Sequence, residues 1–322
     1  MNPGGTVRAA KSDLGAIRWE FGDFPYGLEF LVLPPAGHAA AVFPKPPPVL
    51  PDCDPHFALS QVRILSKGGP GLVSADAGPS AEGLFWFRWI TGHQITFLIW
   101  RFMGNLLNGR SLHCLDDGEA TVLQTYIDGY SAMLVYTASC PREIYHSLIR
   151  PRMYDQHPGF SGKWAPDYAP VRRFFRSGAV ADSVETRAAD VAQAIKINRE
   201  VHDDVAAWLV PDGRSLLQHA AEESPVGLSP RTALLYDNFF MTLRSTIDVD
   251  ALIAQLLHRI RPALIDVARH GLYPHGRNIA CSVGESVRPS AVECEDRFGQ
   301  VIADVAHAAT LGNSAKCLSA SE

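Results

Sequence analysis

Two histidines occupy positions that their neighbours make costly for an imidazole. His93 lies in the run Trp89-Ile-Thr-Gly-His93-Gln-Ile-Thr-Phe97. In a helix, its own face carries Trp86, Trp89, Phe97 and Trp100, seven and four residues to either side. An imidazole among three indoles and a phenyl ring is desolvated, which lowers its pKa and keeps it neutral near pH 7. A neutral histidine in an aromatic cavity suits proton transfer, and Gly92 beside it leaves room for a flat ligand. The plainer alternative is a core histidine bonded to a neighbouring helix. His202 falls in a stripe of Val184, Ala188, Val191, Ile195, Asn198, His202, Val205 and Leu209, the seam of an amphipathic helix. Asn198 and His202 take consecutive places in that seam, and a buried polar group needs a partner. An iron centre would serve, because neutral imidazole is a good iron ligand. A buried Asn–His hydrogen-bond pair would serve as well.

The other candidates are weaker. His270 and His275 flank a Gly-Leu-Tyr-Pro turn without a carboxylate or cysteine at metal-ligand spacing. His157 precedes Pro158, and His113, His146, His219, His258 and His307 stand in polar contexts typical of a surface. Gly68-Gly-Pro-Gly71 lacks the Gly-Lys-Ser/Thr ending of a phosphate loop. HExxH, GxSxG and strand-linked GxGxxG motifs are absent, which argues against zinc protease, serine hydrolase and dinucleotide chemistry.

The elements that must position these residues are mostly helical. Residues 84–107 are nearly all large and apolar, with Arg88 and Arg101 the only charges, which predicts a helix buried on most sides. Further helices are predicted at 118–138, 141–150 (opened by Pro141), 182–209, 214–223, 230–245, 248–269 and 291–309. Asp182-Ser-Val-Glu185 resembles a capping box, and Pro211-Asp-Gly213 ends the helix that it opens. Strands are expected only near 28–33 and 59–65. Residues 151–178 read as a long irregular stretch, too rich in aromatic side chains for disorder. Eight prolines in 34–55 predict extended, polyproline-like chain. The fold class is therefore mostly α: an irregular Pro/Gly-rich N-terminal arm over 1–80 and a helical domain over 81–322.

Composition narrows the function classes. The chain has 322 residues, 47% of them hydrophobic, and a formal net charge of −5, so it can bury a large core. It lacks the cationic surface that nucleic acid requires. No apolar run is long enough to span a membrane, and the first twenty residues lack a secretory h-region. The six cysteines show no CxxC spacing and fit reduced thiols, so a cytoplasmic location is expected.

Two segments carry a family resemblance. Gly92-His93-Gln94 and the apolar run to Phe102 resemble the distal-histidine helix of the tryptophan 2,3-dioxygenase superfamily. His202 and the loop through Gly213 and Ser215 are similar to that superfamily's proximal haem ligand and the loop after it. Arg150-Pro-Arg152-Met153, with His157-Pro-Gly-Phe160-Ser161-Gly162-Lys-Trp164-Ala-Pro-Asp167-Tyr168, resembles the haem-dependent tyrosine hydroxylases of antibiotic pathways, which make L-DOPA. The resemblance covers roughly residues 84–245. It implies a tryptophan-dioxygenase-like helical haem domain and a peroxygenase-type L-tyrosine 3-hydroxylase. His202 would bind the iron, with Gly213 and Ser215 in the cofactor loop, and His93 would relay a proton for hydrogen peroxide. Arg150, with Arg152 in reserve, would hold the substrate carboxylate. Phe160, Trp164 and Tyr168 would wall the pocket, and Ser161 would donate a hydrogen bond. A sister group, the 3-methyltyrosine hydroxylases, attaches haem through His-x-x-x-Cys. No histidine stands four residues before any cysteine here, so non-covalent haem b is expected. The expected partners are L-tyrosine and hydrogen peroxide, with no nucleic acid and no membrane, and a homodimer is allowed for. An indole dioxygenase using ferrous haem and O₂, and a helical binding module without a cofactor, are the alternatives.

Overall fold

The computed structural model describes residues 26–37, 54–67, 79–176, 186–210, 216, 227–274 and 289–319. A short strand β1 (Leu31–Leu33) is followed by helix α1 (Pro55–Ser66). Then come α2 (Ala81–Leu107), α3 (Asp117–Ala138), and α4 (Arg142–Ile144), which runs through a π turn at Tyr145–Ile149 into α5 (Arg150–Gln156). A 3₁₀ turn, Gly162–Trp164, leads to α6 (Tyr168–Arg176) and α7 (Thr186–Leu209). The described chain continues with α8 (Pro230–Phe239), β2 (Thr242–Arg244), α9 (Val249–His270), α10 (Pro289–Asp296) and α11 (Phe298–Ser319). None of the described helices is long and apolar enough to cross a membrane.

Helix α2 is the hub, touching α3, α6, α9 and the π turn. Ser80 starts it by accepting the Gly83 N–H, and Asn108, in the left-handed region at φ 40°, ends it. Asp116 and Glu119 form a reciprocal capping box on α3. The α2–α3 crossing is close because Gly92 has no side chain. A Cβ there would stand 2.5 Å from Thr137 Cγ2 and 3.1 Å from Tyr136 Cδ1. Gly92 thus admits a helix rather than the flat ligand expected from the sequence. Buried Arg88 ties three elements together. It grips Asp266 with Nε at 2.8 Å and Nη2 at 3.2 Å, and donates to Ser139 Oγ and to the Gly271 and Leu272 carbonyls. Tyr136 donates to the same carboxylate at 2.8 Å.

Strands β1 and β2 pair in parallel, Val32 opposite Leu243, and the Gln255 side chain of α9 bonds both backbone groups of Val32. A side-chain amide thereby does the work of a third strand on a two-stranded edge.

Several expectations need correction. The segment 59–65 is helical: Asp54 caps α1, Pro55 opens it, and Leu59, Val62 and Leu65 are buried, so the apolar spacing there has the helical period. Helix α1 packs on α9 and α11, so the expected irregular arm contributes core. The stretch 151–178 contains α5 and α6. Helix 230–245 stops at Phe239, where the chain turns into β2 with Met241 at φ 53°. The capping box at 182–185, the 214–223 helix apart from Leu216, and the Gly68–Gly71 patch lie outside the described residues.

Candidate functional site

The aromatic face of α2 forms as its spacing requires. Trp89 lies 4.5 Å from His93 between ring centroids, Phe97 lies 6.3 Å away, and Phe97 meets Trp100 at 5.6 Å. The opposite wall comes from the end of α8. Phe240 stacks on His93 at 4.5 Å with 22° between planes, and Tyr236 and Phe239 pack around it. Phe160 closes the cluster, stacked on Tyr236 at 5.5 Å, and Trp164 backs Phe160 at 5.8 Å.

Gln94 explains why glutamine follows the histidine. Its Nε2 donates to the carbonyls of Glu29 and Phe240, each at 2.9 Å, and its Oε1 accepts from Arg259 Nε at 2.9 Å. One amide thus pins the lead into β1, buried Arg259 of α9, and the residue stacked on His93. Burial lowers the Arg259 guanidinium to about 10.

His93 has a defined tautomer. Nδ1 lies 2.6 Å from the Trp89 carbonyl, so Nδ1 carries the proton and donates, and Nε2 keeps its lone pair. Burial pushes the pKa down to about 4, partly opposed by that bond to Trp89. The ring lies deep in the molecule, and the residue as a whole is only partly buried. At neutral pH it is an uncharged acceptor whose conjugate acid readily returns a proton.

The remaining expected site residues divide. Arg152 stands over the Trp86 ring, guanidinium carbon 4.4 Å from the centroid, and is committed to that cation–π contact. Arg150 is half-buried beside Tyr145, whose ring meets Trp89 at 5.8 Å. Burial pushes the Tyr145 phenol up to about 12 against the pull of Arg150. Ser161 caps the 3₁₀ turn by accepting the Lys163 N–H at 3.2 Å. Tyr168 packs on Trp100 at 4.7 Å, two turns along α2 from His93. Gly213 and Ser215 lie outside the described residues.

His202 is the main correction. Its side chain is 61% exposed, with Nδ1 3.8 Å from Asp203 Oδ1. The buried stripe of α7 runs through Val191, Ala194, Ile195, Asn198, Val201 and Leu209. Steps of three or four residues admit either Val201 or His202 after Asn198, and the hydrophobe takes the inner place. Asn198 finds its partner in Ser131 Oγ at 3.0 Å, so no Asn–His pair forms. Helices α2 and α7 both pack on α3. A haem gripped between His93 and His202 therefore does not fit this arrangement, and no step below is routed through iron. Among the described residues, no group of three or more His, Cys, Asp or Glu side chains could hold a metal ion.

The sequence offered no signal for Asp237, whose carboxylate grips Arg244 at 2.7 and 2.9 Å, or for Asp167 on the same guanidinium at 2.8 Å. His258 is also misread by its polar context. It is 8% exposed and bonded to Glu29 at 2.5 Å.

Residues 56–194 match the family described as SfmD 3-methyl-L-tyrosine peroxygenase. The match supports a peroxygenase-type family. It spans α1 to α6 and the start of α7, including His93 and the Arg150–Tyr168 segment, and ends before His202. No curated protein matches the chain.

Proposed function

We propose that this protein hydroxylates the phenol ring of a free tyrosine-type amino acid with hydrogen peroxide, converting L-tyrosine to L-DOPA and the peroxide to water. One peroxide oxygen enters the ring C–H bond ortho to the phenol, and the other leaves as water. The observation that carries this reading is the Nε2 lone pair of His93, left free by the Nδ1 bond to Trp89 among packed aromatic rings within the matched span. His93 takes a proton from one peroxide oxygen and returns it to the other, so that the departing oxygen leaves as a neutral molecule. Phe240, Phe160 and Trp89 supply ring surface for a phenol and exclude water.

The cofactor belongs to the same proposal on the resemblance alone. Haem b without the His-x-x-x-Cys attachment is what that resemblance implies, and no step of the reaction above is routed through it. The exposed position of His202 is where resemblance and structure disagree. The absorption spectrum of the purified protein near 400 nm, wild type against His202→Ala, decides both the cofactor and its ligand.

The deciding assay supplies hydrogen peroxide with L-tyrosine or 3-methyl-L-tyrosine and follows catechol formation by chromatography. Catechol from either substrate, lost in His93→Phe, is the expected result. Ring opening of tryptophan with O₂ and a reductant, without catechol, would replace this reading with the dioxygenase alternative.

A further inference from the structure

A cleft between the second half of α2 and the loop before α6 holds polar groups that the proton relay does not use. It encloses about 390 Å³, lined by Trp100, Arg101, Gly104, Asp167, Pro170 and Arg173 among others. Trp100 and Asp167 are only 5% and 4% exposed. Among the described residues, the indole Nε1 of Trp100 and the carboxylate Oδ1 of Asp167 have no hydrogen-bond partner. Buried polar atoms in native proteins are nearly always satisfied, so two unmet atoms on residues that line one cleft point to a ligand.

The unmet atoms specify its chemistry. Asp167 Oδ2 lies 2.8 Å from Arg244 Nη1, but Arg244 also serves Asp237 at 2.7 Å and the Pro34 carbonyl at 3.1 Å. Two carboxylates on one buried guanidinium leave a negative charge over. Arg101 offers the nearest compensation, with Nη1 3.9 Å from Asp167 Oδ1, an ion-pair separation too long for a hydrogen bond. Its buried Nε also has no hydrogen-bond partner among the described residues. The residues lining the cleft therefore hold an unmet acceptor oxygen on the loop before α6, and a guanidinium with an unmet indole N–H on α2. A simple anion would meet Asp167 unfavourably, and a simple cation would leave Arg101 and the indole unsatisfied. A group carrying an ammonium and a carboxylate on one carbon meets all three.

We propose that this cleft binds the charged head of a free α-amino acid, its ammonium on Asp167 and its carboxylate on Arg101 and Trp100. The proposal rests on the function reading above in making the cleft the substrate anchor of the same site. Trp100 stands seven residues beyond His93 on one helix face, about 10 Å along the axis. The rings of His93, Phe97 and Trp100 contact one another in series along that face. The head group is thus assigned here rather than to Arg150 or Arg152.

The test is calorimetric binding to the purified full-length protein. The ligands are L-tyrosine, tyramine (no carboxylate) and 3-(4-hydroxyphenyl)propionate (no ammonium). Arg101→Gln removes a guanidinium that makes no hydrogen bond within the described residues, and Asp167→Asn keeps an oxygen for Arg244. Wild type should bind L-tyrosine about tenfold or more tighter than either analogue, as charge-assisted hydrogen bonds require. Arg101→Gln should weaken L-tyrosine about tenfold while leaving tyramine unchanged. Asp167→Asn should weaken L-tyrosine similarly and leave the propionate unchanged. Full L-tyrosine affinity in both variants, loss in Arg150→Leu alone, or no amino acid bound by wild type would each overturn the assignment. L-Phenylalanine and L-leucine separate the two readings. Variant-sensitive binding of these without phenol hydroxylation keeps the cleft and removes the hydroxylase, and hydroxylation with silent variants does the reverse.

Discussion

At the scale of single residues, His93 joins a free lone pair to a depressed pKa. Burial holds the folded imidazole at about 4, against 6.5 for an unperturbed ring. Between those values the unfolded chain binds a proton that the folded protein refuses. The stability contributed by the neutral ring is full above pH 6.5 and is lost as the pH falls towards 4. The loss is at most about 3 kcal/mol. Urea unfolding from pH 7 to pH 4 should show this slope in wild type and a flatter one in His93→Phe. The same variant should fold and lose about 10²–10⁴-fold in peroxide-driven turnover, the usual worth of a general acid–base group. Equal turnover would make His93 a packing residue. His202→Ala removes a solvent-facing side chain, so its melting temperature should match wild type to within about 0.5 kcal/mol of stability. A larger drop in the metal-free protein would mean that His202 is buried in solution.

At the scale of elements, the α2–α3 contact sets the position of His93, because Gly92 precedes it directly and meets α3 without a side chain. Gly92→Ala should cost about 1–3 kcal/mol, the range for overpacking a core. Thr137→Ser deletes the nearest methyl, at 2.5 Å from the added Cβ, and should recover part of that loss in the double variant. Thermal unfolding of the four proteins in this cycle measures the coupling, and purely additive losses would place the contact elsewhere. Gln94 serves the opposite wall. Its bond to the Phe240 carbonyl means that the stacked ring depends on an amide one residue from His93. A helix-borne histidine and a loop-borne phenyl are held in register by one side chain.

At the scale of the whole molecule, buried Arg88 fastens α2 to α9 and to the end of α3, with every donor direction engaged. Removing one member of a buried ion pair strands the other, typically at about 3–5 kcal/mol. Arg88→Met should therefore lower the denaturation midpoint strongly, and Arg88→Met with Asp266→Leu should recover part of the loss. A silent Arg88→Met would show that the three elements are held by apolar packing alone.

The helical character, the aromatic face around His93 and most helix positions were legible in the sequence, because periodicity, caps and apolar runs are local properties. His93 reads correctly since its neighbours at four and seven residues crowd it whatever packs outside. His202 does not, because a seam of three- and four-residue steps admits two adjacent positions, and contact with α3 selected Val201. The helix at Pro55–Ser66 was hidden by proline-rich flanks, although its cap and apolar spacing were present. Phe240 stacked on His93, Arg259 on Gln94, and Asp167 sharing Arg244 with Asp237 each join residues distant in sequence or on different elements. Chain order carries no record of such pairs. Packing α2, α8 and α9 together decides them, because burying their apolar faces leaves each polar group only those partners that the packing brings within reach.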